Sequence, residues 1–261
     1  MAEEHPLRPF YTVLVLAFGC SLLVASAAIG LRPQQDANRL LDQKRNILRA
    51  AGVYEAGIPV DEQFGAVQTR LVDLQSGAYV ADEKIDPNSY DQQAALLSPE
   101  LSRELSSEEN IAGLRGLENY AKIYLFSDQD RIDKVVLPVR GKGLWSTMYA
   151  YVALDSDLST IEGISFYEHG ETPGLGGEIE NPRWQAGWQG KKLFGPDGEM
   201  ELSVVKGGAQ VSEEQQPYSV DGLSGATLTT QGVDNLMRFW FGEHGYEPFI
   251  ARIKQEGGFN G

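Results

Sequence analysis

The chain has 261 residues, 22 basic and 37 acidic side chains, a formal charge of −15 and 42% hydrophobic residues, enough apolar material for one globular domain of ordinary size plus appendages. Glu3 and Glu4 cancel Arg8 and Arg32, so the whole excess lies beyond residue 33, and that acidic part repels nucleic acid and anionic lipid. A single cysteine, Cys20, and three separated histidines, His5, His169 and His244, exclude an internal disulfide, a thiolate metal cage and an i, i+4 histidine pair.

Residues 1–9 read as a short tail. Phe10 to Leu31 is a run of 22 residues without a charge, about 33 Å long as a helix and sufficient to cross a bilayer core. The alternative is a cleavable signal peptide, with Arg8 as its basic region and Ala25-Ser26-Ala27 as its cleavage pattern, but the run is longer than the usual apolar core of such peptides. Ala17, Ser21 and Ala25 on one stripe, and Ser26 and Gly30 on another, are small residues of the kind that admit a second membrane helix and so point to partner subunits. Arg8 precedes the span while Arg32, Arg39, Lys44, Arg45 and Arg49 follow it, a count that taken alone keeps the following domain in the cytoplasm.

Residues 32–118 read as connecting helices and irregular chain. An amphipathic helix is predicted over 36–51, with Leu40, Leu41, Ile47 and Leu48 on its apolar face and Gly52 as terminator. A second helical pattern spans Asp61 to Leu74 and stops at Ser76-Gly77, and residues 85–118 are polar and irregular. Residues 119–261 carry the predicted α+β core. Clustered or alternating β-formers predict strands at 121–126, 132–139, 145–153 and 161–167, the first two separated by the turn Ser127-Asp128-Gln129-Asp130. A helix start follows at Asn181-Pro182, a further strand at 200–205, and a closing helix at 227–241 with Leu228, Val233, Leu236, Phe239 and Trp240 toward the core. Strands and helices in separate runs predict an antiparallel sheet with packed helices. Trp145 and Trp184 are read as core aromatics.

The chemistry concentrates in Asp221-Gly222-Leu223-Ser224-Gly225-Ala226-Thr227, immediately before the closing helix. Two hydroxyls three residues apart, with the small Gly225 and Ala226 between them, would meet a phosphate together with unpaired N–H groups and the positive end of the helix dipole. The bland alternative is an ordinary N-cap at Ser224 or Thr227.

The string Asp-Gly-x-Ser-Gly-Ala-Thr resembles the flavinylation motif of the FMN-binding domain family, and His169-Gly170-Glu171-Thr172-Pro173-Gly174-Leu175-Gly176 resembles that family's upstream Glu-Thr-Pro-Gly-Leu-Gly segment. The order of membrane helix, loop and attachment motif is also similar. The resemblance implies FMN bound covalently by a phosphoester to Thr227, attached by a flavin transferase. It further implies an electron-relay role beside other membrane and peripheral subunits, between a membrane iron–sulfur centre and a second covalent flavin on the way to ubiquinone, with the soluble domain on the periplasmic side of a bacterial inner membrane. Ser224, Gly225, Ala226, Glu171, Thr172, Leu175, Gly176 and Lys206 are the candidate cofactor contacts beside Thr227, Leu175 against the ring and Lys206 toward the flavin or its phosphate, although general exposure statistics favour Lys206 as a plain solvated lysine. No side chain need act as acid, base or nucleophile during turnover, and no metal site is expected. The length and the Arg140-Gly141-Lys142-Gly143-Leu144-Trp145 segment are most similar to sodium-translocating NADH:quinone reductases, while the G subunit of RNF ferredoxin:NAD oxidoreductases shares the layout and stays open. Two other readings also stay open. One is a serine hydrolase built on Ser224, His169 and Asp221, although the local pattern is not Gly-x-Ser-x-Gly; the other is a membrane-anchored binding or assembly module in which Thr227 only caps its helix.

Overall fold

A computed structural model describes residues 7–129 and 131–259, so the first six residues of the predicted tail and Asp130 of the predicted turn lie outside the described residues. The chain divides into two units at Gln43/Lys44. The first consists of most of α1 (Arg8–Ala50), which passes through Pro33 without a break where the sequence predicted two helices. From Leu7 to Leu40 every residue is exposed, and the helix is long and apolar enough to span a membrane. Leu40, predicted to face a core, is among those exposed residues.

The second unit begins with the last turns of α1, where Ile47, Leu48 and Ala50 are buried. Gly52 ends the helix as expected: its φ is +71°, its N–H donates to Arg49 O, and Val53 N–H reaches back to Leu48 O at 3.0 Å. This paired closure uses a left-handed residue that glycine adopts without strain.

The elements that follow are α2 (Val60–Phe64), β1 (Gln68–Asp73), α3 (Gln92–Ala95), β2 (Ser102–Arg103), β3 (Leu117–Glu118), β4 (Tyr120–Asp128), β5 (Arg131–Lys142), β6 (Thr147–Asp155), β7 (Ile161–Glu168), α4 (Pro182–Ala186), β8 (Ser203–Val205), β9 (Ser219–Asp221), α5 (Thr227–Trp240) and α6 (Glu247–Gln255). The main sheet has the order β1-β4-β5-β6-β7, antiparallel throughout. The helix predicted over 61–74 is therefore wrong beyond Phe64. Residues 68–73 pair with Tyr120 to Leu125, with both Leu71 and Val72 buried, and this pairing overrides a helical spacing that is only local.

The central strands are buried on both faces. Val135, Leu137 and Val139 of β5 and Met148, Ala150, Val152 and Leu154 of β6 enter the main core, while Val136, Tyr151 and Ala153 face a smaller cluster under Ile47, Ala50 and Ala51. This is the two-residue period of a strand with both sides covered, and it explains why Val135-Val136-Leu137 reads as a continuous apolar run. Helix α5 lies on the end of β5: a methyl added at Gly141 would come within 2.8 Å of Leu236 Cβ, and one at Gly232 within 2.5 Å of Lys142 O. Its inward face is Thr229, Thr230, Val233, Leu236, Met237 and Trp240. Leu228 falls outside that face and is 58% exposed, contrary to expectation.

A buried ion pair fastens the same corner. Arg140 makes paired hydrogen bonds to both Glu118 carboxylate oxygens and a third bond to Gly116 O at 3.1 Å. Its guanidinium lies 5.3 Å from the centre of the Trp240 ring, and Trp240 Nε1 donates to Arg140 O at 2.7 Å. Burial pulls the Arg140 pKa down, but the Glu118 charge and hydrogen bonds outweigh it and raise it above the ordinary arginine value.

Candidate functional site

The short parallel pair β8 and β9 delivers the motif turn, and its register sets Val205 against Asp221. Gly222 N–H continues the pairing to Val205 O at 2.7 Å. A side chain at Gly222 would strike Val205 O and the Thr230 methyl, each 2.5 Å from the added carbon. Leu223 N–H donates to Thr230 Oγ1 at 3.0 Å, Gly225 takes φ +76°, and Ala226 N–H closes on Leu223 O at 3.2 Å. Trp184 Nε1 donates to Asp221 O at 2.7 Å, so this ring is half-buried and holds the turn from one side.

Helix α5 starts without a side-chain cap. Its N-cap is Ala226 (φ −127°, ψ 51°), and among the described residues no side chain makes a cap hydrogen bond there, which leaves the opening N–H groups without intrahelical partners. Neither Ser224 nor Thr227 serves as the cap, and both are exposed. Thr227 is the first residue of the helix, its hydroxyl beside N–H groups and a positive dipole end that favour a phosphate.

The 169–176 loop comes to the same place. Leu175 N–H and Gly177 N–H both donate to Thr172 O, at 3.1 and 2.9 Å. Pro173 and Gly174, with Gly174 at φ +75°, occupy the centre of this turn as a type II geometry requires. The turn projects Leu175, 46% exposed, so that its Cδ2 is 3.5 Å from where a Gly225 methyl would sit. Thr172 is exposed and Gly176 buried. A methyl on Gly176 would overlap Thr229 Oγ1, so the loop touches the first turn of α5 directly. Lys206 is exposed and follows Val205, the residue bonded to Gly222; the neighbouring Gly207 is 2.5 Å from Gly222 O and 3.5 Å from Ser224 Oγ, measured from an added carbon. The structure thus gathers Thr227, Ser224, Gly225, Ala226, Thr172, Leu175, Gly176 and the Lys206 backbone around one open corner.

Glu171 is placed differently. It is 5% exposed, and its carboxylate accepts from Leu144 N (3.2 Å), Trp145 N (2.9 Å), Ser146 N (3.4 Å) and Thr229 Oγ1 (2.5 Å). Burial pushes its pKa up, but these four bonds outweigh it and hold it below the usual value of 4.5. His169 Nδ1 accepts from Glu171 N–H at 3.1 Å, and its Nε2 stands 3.0 Å from Glu180 without hydrogen-bond alignment. Among the described residues no hydrogen bond joins this imidazole to Ser224. Trp145, expected in the core, is 65% exposed, because the Gly143–Ser146 turn between β5 and β6 turns it outward while its backbone is held by Glu171. The residues missed from sequence are Ser146, whose Oγ accepts from Gly170 N at 2.6 Å, Thr229 and Thr230.

An exposed hydroxyl on an uncapped helix start, next to an apolar side chain and two glycines with open space above them (Gly174) or only Leu175 nearby (Gly225), fits a phosphate-linked aromatic cofactor. The class of fold is that of an FMN-binding domain, and the family model of that description matches residues 143–242. Over its whole length the chain is similar to the C subunit of the Na(+)-translocating NADH-quinone reductase of Yersinia pestis, 46% identical over 95% of this chain and 93% of that protein. It is also similar to the C subunit of the same reductase in Pseudomonas aeruginosa, 42% identical over 97% and 98%. The crystal structure of Shewanella oneidensis NqrC superposes with a TM-score of 0.74 at 35% identity, covering 82% of this chain and 97% of that one. The chain therefore belongs to the NqrC family, the C subunits of the Na⁺-translocating NADH-quinone reductases, and is a part of an oxidoreductase complex that carries an FMN-binding domain.

Proposed function

We propose that the chain carries FMN esterified through its phosphate to Thr227 Oγ1 and serves as a one-electron relay in its reductase complex. The observation that carries this reading is the exposed Thr227 at the first position of α5, whose cap is Ala226 with no side-chain cap hydrogen bond among the described residues. A phosphodiester keeps one negative charge, which the helix start stabilises, and the covalent bond retains the cofactor outside the cytoplasm. Bound FMN supplies the electron transfer; the protein supplies binding, position and electrostatics. Leu175 gives the ring an apolar wall, Thr172 and Ser224 offer hydroxyls, Gly225 and Ala226 let the backbone approach, and Lys206 supplies a cation on the adjacent strand end.

Electrons come from an iron–sulfur centre in membrane subunits and pass to another covalent flavin and then to quinone. The sodium path lies in other subunits, since Phe10 to Leu31 contains no charged residue to bind a cation. The soluble domain is periplasmic despite the basic residues after the span, because long domains translocate largely regardless of flanking charge. Attachment requires a flavin transferase. Intact mass of the full chain, made with that enzyme, tests the reading: wild type gains one FMN less one water on the peptide spanning Asp221 to Arg238, and Thr227→Ala gains nothing. An unmodified wild-type peptide would sink it. Protease treatment of intact spheroplasts tests the orientation, and a fully protected domain would reverse it.

A further inference from the structure

The four donors around Glu171 fill the acceptor capacity of a carboxylate and come from two separate segments, the 144–146 turn and the first turn of α5. No oxygen is left for a ligand, and a negative group placed there would repel an incoming phosphate. Two glycines from two parts of the chain close around it: a methyl on Gly143 would sit 2.5 Å from Glu171 Oε1, and one on Gly176 would be 2.9 Å from Oε2, while a methyl on Gly232 of α5 would meet Gly143 Cα at 3.2 Å. The carboxylate is the junction of the β5–β6 turn, the 169–176 loop and α5.

Its bond to Thr229 has a geometric consequence. At 3.6 residues per turn, side chains two apart point about 200° away from each other around a helix. Thr229 is 1% exposed with its hydroxyl drawn inward onto Glu171, so Thr227 must point outward. We propose that Glu171 is a positioning residue for the flavin site: through Thr229 it sets the rotation of α5 that presents the Thr227 hydroxyl, and through its own loop it fixes Thr172 and Leu175 relative to that hydroxyl. It touches neither the cofactor nor the phosphate. The inference rests on the reading of Thr227 as the attachment point.

The test uses the full chain in its membrane complex, produced with the flavin transferase, as wild type, Glu171→Gln, Thr229→Val, Thr229→Ser and the Glu171→Gln/Thr229→Val double variant. Thr229→Val keeps the side-chain shape and removes only the donor. Loading of FMN is followed by intact mass, and the ring's surroundings by its visible circular dichroism. Expected is loading slowed on the order of tenfold in Thr229→Val, the weight of one hydrogen bond to a charged group, with a weakened dichroism band from the flavin that does become attached. Thr229→Ser, which restores the hydroxyl, returns both to wild type, and the double variant loses less than the product of the two singles, because Glu171→Gln weakens the same bonded group from which Thr229→Val removes one donor. Wild-type loading and dichroism in Thr229→Val overturn the inference, as does a double variant whose losses multiply. Wild type with no added mass would instead overturn the flavin reading beneath it, so the two failures are told apart by the first sample.

Discussion

Breaking the Arg140–Glu118 pair tests whether the corner under α5 is held as the contacts indicate. The Glu118 side chain is fully buried and that of Arg140 is 9% exposed. Glu118→Ala strands a guanidinium that cannot shed its proton, with, among the described residues, only Gly116 O still hydrogen-bonded to it, and losing one partner of such a pair costs about 3–5 kcal/mol. For a folded unit of this size each kcal/mol moves Tm by roughly 2–4 °C, so the midpoint falls by about 6–20 °C. Arg140→Met is milder, because Glu118 keeps a hydrogen bond from Gln92. Replacing both with Leu and Met removes both buried charges and recovers most of the loss. All four tryptophans lie in the Lys44–Gly261 unit, so thermal melting of the full chain followed by tryptophan fluorescence reports on that unit alone. A Tm drop below about 3 °C for Glu118→Ala, or a double variant as unstable as that single, refutes the reasoning.

Three further outcomes follow from the same structure. Gly163→Ala places a carbon 2.5 Å from Ala50 O, backbone against backbone, so overpacking costs about 1–3 kcal/mol; melting should shift down by about 2–12 °C, and an unchanged Tm would mean that the end of α1 does not seat on β7. The depressed pKa of Glu171 means that its stabilisation is complete above the ordinary value of 4.5 and is lost as pH falls through the lower folded value. Urea midpoints of wild type and Glu171→Gln should therefore differ at pH 6 and converge below pH 4.5, and a gap that stays constant into acid contradicts the ionised network. Trp145→Ala, at a residue 65% exposed, should change stability by no more than about 0.5 kcal/mol, which a shift of many degrees would refute.

What the sequence disclosed and what it hid divide along the range of the interactions. The strands between Tyr120 and Glu168 were legible because covered faces enforce apolar runs bounded by turn residues, and Gly52 was legible because helix termination is local. The strand 68–73 was not, since its six residues become a strand only by pairing with a partner some 50 positions away. Trp145 misled for a related reason: an indole is read as core by its area, yet the turn that carries it is held by its N–H to a carboxylate 26 residues later.

The opening of α5 shows how part of the hidden site was nonetheless written locally. Thr227, Thr229 and Thr230 crowd its first turn, although threonine is a poor helix former whose χ1 is restricted against the preceding turn. Three such residues in four positions are unfavourable for the helix as such, so their hydroxyls must be used. Each is turned to a different purpose: Thr230 accepts from Leu223 N and shapes the motif turn, Thr229 donates to Glu171 and fixes the helix rotation, and Thr227 is left exposed. Two hydroxyls consumed in holding the turn and the helix leave the third exposed, the one we propose as the attachment point. Removing Thr229 or Thr230 should therefore impair the site through geometry, whereas removing Thr227 should abolish attachment while the fold stays intact.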